Sequence, residues 1–315
     1  MSAPLNSLVV PVYRNADSIP ELVKVVAEIG EQVPGGIEGV FVVDGSPDNS
    51  LRLLEEHLAA GELESRIVEH SRNFGSFAAI RTGLGVARGE RIAVMAADLQ
   101  EPPDLIVTFL QRLASGEADV VAGRRLSRSD RGDSMAKTFW RLYRRVVVRE
   151  IPAGGVDVFA CTSEVRDVLV SLEEVHTSLV AQLFWLGFRR EVVPYHRIPS
   201  PGPSGWTLRK KFRYLSDSVF AFTDLPVRLL WLVGAVGVAL GVVLGTIVLV
   251  ARATGAINVP GYAATILIIL LFLSLNSLGL GIIGSYVWRA YEIVKGRPGA
   301  VVRRVFDPRE DDAGG

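Results

Sequence analysis

Residues 229 to 250, LLWLVGAVGVALGVVLGTIVLV, carry no charge, and residues 263 to 285, AATILIILLFLSLNSLGLGIIGS, carry none either. An uncharged run longer than about 18 residues can cross a bilayer as a helix, in which every backbone group is satisfied within the segment. Two such runs close together predict a hairpin of spans. Their flanks orient it. Arg209, Lys210, Lys211, Arg213 and Arg228 precede the first run, and Arg289, Lys295, Arg297, Arg303 and Arg304 follow the second, whereas the connection offers only Arg252. The bias of Lys and Arg toward the inner face puts both flanks in the cytoplasm, as a multi-pass protein of the plasma membrane. No basic-then-apolar leader opens the chain, so export of the first domain is not expected. The lone Cys161 agrees with a reducing compartment.

The first 200 residues alternate between two periods. LNSLVVPVY (5 to 13) reads as a buried strand, and residues 17 to 32 as a helix with Leu22, Val25, Val26 and Ile29 on one face. GVFVVDGSPDNS is a second strand entering a turn and a helix with Leu51, Leu53 and Leu54. RIVEH, RIAVMAAD and ADVVAGRR read as further strands, separated by the helices FGSFAAIRTGLGVA and DLIVTFLQRLAS. Strands alternating with helices predict an α/β fold with a doubly wound, mostly parallel sheet.

Each of these strands ends in polar residues: Tyr13 and Asn15, Asp44 to Asp48, Arg72 and Asn73, Asp98 to Asp104, Arg124 and Arg125. A single polar turn is ordinary; repetition at the carboxyl edge of a parallel sheet marks the place where such sheets bind ligands. Carboxylates beside arginines suit a ligand with phosphate, metal and hydroxyls, as in a nucleotide sugar. Neither a P-loop nor a GxGxxG turn follows a strand, which argues against ATPases and dinucleotide enzymes. His57, His70, His176 and His196 have no metal-ligand spacing. The formal net charge is +0, and the basic residues flank the apolar runs and form no basic globular face, so no nucleic-acid partner is expected.

VVPVYRN, VVDGSPDNS, SRNFGSFAAIRTGL, AADLQEPPDL, AGRR, VPGYAA and GIIGSYVWRAYEIVKGRP, in this order, resemble the polyprenyl-phosphate glycosyltransferases of glycosyltransferase family 2, the dolichol-phosphate mannose synthases and their bacterial undecaprenyl-phosphate counterparts. The resemblance implies a GT-A-like nucleotide-diphospho-sugar transferase domain and inverting transfer of one sugar from a UDP- or GDP-sugar to a polyprenyl phosphate at the cytoplasmic face. It implies Pro11, Tyr13 and Asp44 in the base and ribose pocket, Asp98 and Gln100 at a Mg²⁺ or Mn²⁺ ion and the donor diphosphate, and Arg124 and Arg125 on phosphates. Asp157 falls where the resemblance places an acid near the sugar or acceptor phosphate, a helix cap or turn residue being the other reading, and Arg128 and Arg131 either close over the acceptor or belong to a solvated basic loop. A processive polysaccharide synthase is disfavoured, because QLFWLG lacks the Arg-Trp of that group's motif.

The chain also departs from the resemblance. Ala96 stands where the first acid of an acid-x-acid pair is usual, Val43 where Asp or Asn is common, Ser76 and Gly205 for Lys, and Ser285 for Glu. Because Mg²⁺ is commonly held by one or two carboxylates plus phosphates and waters, an active enzyme with weaker metal affinity is expected. A catalytically silent partner acting as a membrane scaffold is the alternative. The expected organisation is a glycosyltransferase domain at 1–200, a Pro/Gly strap and juxtamembrane amphipathic helix at 201–227, the two-span hairpin at 228–288, and a basic then acidic tail at 289–315. In the helix, Leu208, Phe212, Leu215, Val219 and Phe222 share a face suited to lipid, with Arg209, Lys210, Lys211 and Arg213 on the others. The small-residue runs GVALGVVLG and GLGIIGS serve either self-association, as a homo-oligomer, or packing within the chain.

Overall fold

The computed structural model describes residues 4–126, 152, 156, 158–172, 178–198, 219, 223, 225–254 and 262–311. The strap, Asp157, Arg128, Arg131, Gly205 and, Val219 apart, the stretch from 208 to 222 lie outside the described residues.

Eight strands form one sheet: β1 (Asn6–Val12), β2 (Ile37–Val43), β3 (Ser65–His70), β4 (Arg91–Val94), β5 (Val120–Arg125), β6 (Phe159–Thr162), β7 (Arg190–Tyr195) and β8 (Val302–Phe306). Their order is β7-β5-β6-β4-β1-β2-β3-β8. Neighbours β4-β1-β2-β3 are parallel, as are β5 and β7. The expected mostly parallel sheet is therefore present, with β6 antiparallel between β4 and β5, and β8 antiparallel on the β3 edge.

The helices of this unit are α1 (Ile19–Gln32), α2 (Ser50–Ala59), α3 (Ser76–Val86), α4 (Pro103–Ala114), α5 (Ser163–Ser171) and α6 (Leu179–Trp185). Leu8, Val10 and Val12 of β1 face Leu22, Val26 and Ile29 of α1 and Ile106, Phe109 and Leu110 of α4 in one buried cluster. The alternate residues of β1 face the other way, as the strand period of two requires. There Gly83 of α3 lies so close that an added Cβ would stand 2.3 Å from Val9 Cγ1 and 3.0 Å from Val42 Cγ2. Helices thus cover both faces, and among the described residues the carboxyl ends of the parallel strands are left as an open edge.

The chain leaves this unit and returns to it. One compact unit comprises 1–211 together with 298–315, and the second comprises 212–297. The stretch expected as a basic then acidic tail instead supplies β8 and a short closing turn of helix at Pro308–Asp311. The reason is the open edge of β3, whose Glu69 meets Arg303 at 3.1 Å and Arg304 at 2.7 Å, while Arg304 also reaches Glu55 at 2.8 Å. Burial alone would raise the Glu69 carboxyl; the two guanidinium groups hold it below the ordinary carboxylate range. Phe306 packs against the core from the same strand.

The second unit holds α7 (Leu225–Ala253) and α8 (Tyr262–Val294). Their most apolar stretches, Leu225–Ile247 and Leu271–Val294, have mean hydropathies of 2.3 and 1.4 and are 0% and 6% buried. Helices of a water-soluble core with this composition would be covered by protein. Gly279, in the second small-residue run, is buried, and a Cβ added there would stand 3.1 Å from Leu230 of α7. Ser285 donates to the Gly281 carbonyl within α8.

Candidate active site

Strand ends and the turns after them build the open edge. After β1 the chain turns sharply at Arg14, whose φ of 57° is unusual for a residue with a side chain. Its N–H donates to Ser46 Oγ at 2.8 Å, which ties the turn after β1 to the turn after β2. Pro11 is half-buried and Tyr13 is 40% exposed beside this turn.

Asp48 organises the second turn. Its Oδ1 accepts from the Ser46 and Ser50 hydroxyls at 2.6 and 2.8 Å, and its Oδ2 from the Ala16 N–H at 3.1 Å. Burial would raise this carboxyl, but the hydrogen bonds bring it down to about 2. The turn after β3 hangs on Asp44. That carboxylate is buried and accepts from the Phe74 N–H at 2.8 Å and the Gly75 N–H at 2.7 Å, and Nδ1 of His70 lies 2.8 Å from it. His70 is buried too, with Nε2 3.0 Å from Thr82 Oγ1 of α3. Here burial, which opposes the charged carboxylate, is outweighed by the bonds from His70, Phe74 and Gly75, and Asp44 stays below the ordinary range. These bonds hold the Phe74–Gly75 turn in place. Gly45, at φ 57°, has no room for a Cβ, which would stand 2.4 Å from the Arg72 carbonyl carbon.

Asp98 is exposed on the loop leaving β4. Leu99 beside it has φ 53°; with Arg14 it makes the pair of non-glycine residues in the left-handed region among those described, and both border this edge. Strained backbone of this kind persists where the surroundings over-determine it, commonly at functional sites. Gln100, half-buried, follows. Arg124 and Arg125 end β5 and are exposed. The chain leaving β7 then turns back: the Ile198 N–H donates to the Gln100 carbonyl at 2.9 Å, and Arg197 Nη2 lies 3.8 Å from Asp98 Oδ2.

Asp98, Gln100, Arg124 and Arg125 thus share one edge with Pro11 and Tyr13, with Asp44 below it. In the sequence Asp48 stood out only as part of the polar turn 44–48, His70 only as lacking metal-ligand spacing, and Arg197 not at all. Asp48 had a further signal in the turn motif SPDNS, His70 its place at a strand end, and Arg197 none. No group of three or more His, Cys, Asp or Glu that could hold a metal occurs among the described residues. One exposed carboxylate beside an amide and several guanidinium groups fits a Mg²⁺-class ion that takes its other ligands from substrate phosphate and water, and does not fit an all-protein cage. Cys161 is buried, and burial pushes its thiol up to about 12, so it is no nucleophile.

Residues 7–167 match the family model described as Glycosyl transferase family 2. The chain is 31% identical over 303 residues to the uncharacterized glycosyltransferase YkcC of Bacillus subtilis (strain 168), covering 95% of this chain and 94% of that protein. It is 30% identical over 311 residues to the undecaprenyl-phosphate 4-deoxy-4-formamido-L-arabinose transferase of Pseudomonas fluorescens (strain SBW25), covering 95% and 89%. Over 302 residues it is 28% identical to the SfII prophage-derived bactoprenol glucosyl transferase of Shigella flexneri, covering 95% and 97%.

Proposed function

Starting from a chain that belongs to glycosyltransferase family 2 and is a glycosyltransferase, we propose that it moves one sugar from a UDP- or GDP-sugar to a polyprenyl phosphate at the cytoplasmic face of the plasma membrane, with inversion. One observation carries the reading: the exposed Asp98 carboxylate, with Gln100 and Arg197 beside it, lies at the same carboxyl edge of the sheet as the exposed Arg124 and Arg125 that end β5. The relatives named for undecaprenyl phosphate and bactoprenol, aligned over nearly the whole chain, support the lipid acceptor. The exposed apolar faces of α7 and α8 support a membrane hairpin, and Trp288, Tyr291 and Lys295 near the end of α8 make a set suited to the headgroup layer.

The chemistry follows from charge. The nucleophile is an oxygen of the acceptor phosphate, whose second pKa is roughly 6, so it is largely anionic at neutral pH and needs little general-base help. It forms a bond to the anomeric carbon as the bond from that carbon to the donor diphosphate breaks on the opposite side, and the nucleoside diphosphate departs with the electron pair. Two anions therefore meet around one carbon. Arg124 and Arg125 would hold phosphates at that point, and Arg128, Arg131 and Asp157 are proposed to engage the acceptor side. Asp98 and Gln100 would hold a divalent cation, which supplies charge neutralisation for the leaving diphosphate. Pro11 and Tyr13 would flank the base and ribose, with Asp44 fixing the neighbouring turn.

The test is transfer from radiolabelled UDP-Glc, UDP-GlcNAc and GDP-Man to undecaprenyl phosphate by the purified chain in detergent, with Mg²⁺, Mn²⁺ or chelator. A labelled lipid that requires metal and is lost in Asp98→Ala is expected. Transfer that is indifferent to Asp98→Ala would overturn the assignment of this edge.

A further inference from the structure

Resting on that reading, we infer that Arg197 is a built-in counter-cation for Asp98, and that Asp98 exchanges it for the divalent ion only as the donor diphosphate arrives. Arg197 Nη2 lies 3.8 Å from Asp98 Oδ2, and the two side chains are 27% and 37% exposed, so the pair sits at the mouth of the edge and not in the core. Among the described residues, the other oxygen, Oδ1, receives a single long bond of 3.4 Å from the Gln100 N–H. The backbone fixes this pairing: the Ile198 N–H bonded to the Gln100 carbonyl holds the segment after β7 against the loop after β4.

In the stretch Ala96-Ala97-Asp98, Asp98 is the single carboxylate. A divalent ion approaching it without donor meets a single negative charge already offset by a guanidinium, and like charges at such separation repel. The donor diphosphate changes the balance. It brings negative charge that attracts both the ion and Arg197, whose Nε is buried with no hydrogen-bond partner among the described residues. Swinging toward the diphosphate gives the guanidinium a bidentate acceptor and frees Asp98 for the ion. Ion and donor consequently bind as a pair, each strengthening the other by the same factor, as linkage demands. An enzyme with one acidic ligand in this way avoids holding a metal idle.

Mn²⁺ binding to the full chain in detergent, followed by electron paramagnetic resonance with and without UDP or GDP, tests this independently of turnover. In Arg197→Gln, Mn²⁺ should bind the nucleotide-free protein about two- to fivefold more tightly, the size expected for releasing a half-exposed ion pair. The gain in Mn²⁺ affinity on adding nucleotide should shrink in the same variant. Arg197→Lys should stay close to the parent, and Asp98→Asn should erase the gain in the Arg197→Gln background. Arg197→Met stands in if the glutamine variant does not fold. Unchanged or weaker Mn²⁺ binding in the folded, nucleotide-free variant would overturn the exchange while leaving the transferase reading intact. Absence of Mn²⁺ binding by the parent even with nucleotide would overturn the exchange, and the labelled-lipid assay with and without metal would then tell whether the transferase reading falls with it.

Discussion

At the scale of single residues, the edge is built from carboxylates with opposite duties. Asp98 is exposed with Arg197 3.8 Å away, whereas Asp44 and Asp48 spend their oxygens on backbone, hydroxyl and imidazole partners that shape turns. Asp48 has an ordinary value of 3.8 that folding lowers to about 2, so its contribution to stability is full above pH 3.8 and disappears as pH falls through 2. Asp44 is shifted in the same direction and acts in the same sense. Thermal unfolding followed between pH 5 and pH 2 should therefore show a smaller acid loss in Asp48→Asn than in the parent, with the variant already less stable at neutral pH. Gly45→Ala should be costly for another reason: its Cβ has no space beside the Arg72 carbonyl and its φ of 57° disfavours a side chain. A fall in donor-nucleotide affinity greater than the fall in stability is the expected signature, because the displaced turn borders the site.

At the scale of elements, how much was legible depended on whether the signal was local. The strands β1 to β5 and helices α1 to α4 announce themselves by runs such as SLVVPV and by the stripe Leu22, Val25, Val26 and Ile29, and each is found within a few residues of its expected bounds. The antiparallel β6, FACT, is too short to stand out, and its direction is set by the gap between β4 and β5 that it fills. Likewise Asp98, Arg124 and Arg125 could be read from strand ends, but Arg197 could not, since its meeting with Asp98 depends on a turn after β7 that no neighbouring residue encodes. The close seat of α3 was also hidden, although the small residues of its sequence hinted at it. Gly83→Ala should cost about 1–3 kcal/mol by overpacking against Val9 and Val42, measured by chemical denaturation in detergent. An effect near zero would mean that α3 rides further from the sheet.

At the scale of the whole molecule, the sheet contains strands from before and after the apolar hairpin. If α7 and α8 span the membrane, both flanks must lie on one side, a conclusion that does not use the charge bias. Cysteines introduced at exposed Glu56 and at Val301 should react from the same side of sealed vesicles, against a background in which buried Cys161 is silent. Labelling of the two from opposite sides would rule out the hairpin. Truncation after Arg297 should lower thermal stability and promote aggregation, because β3 then presents an unpaired edge.

That last strand also imposes an order on biosynthesis. If α7 and α8 are threaded into a membrane, β8 leaves the ribosome after both of them, and the nascent domain waits with an open seam on β3 until it arrives. A chain that inserts only one helix delivers β8 to the wrong compartment and leaves the seam open. On that topology, completion of the sheet would report successful membrane insertion, and chains that fail would carry the exposed strand by which proteolysis and aggregation remove them.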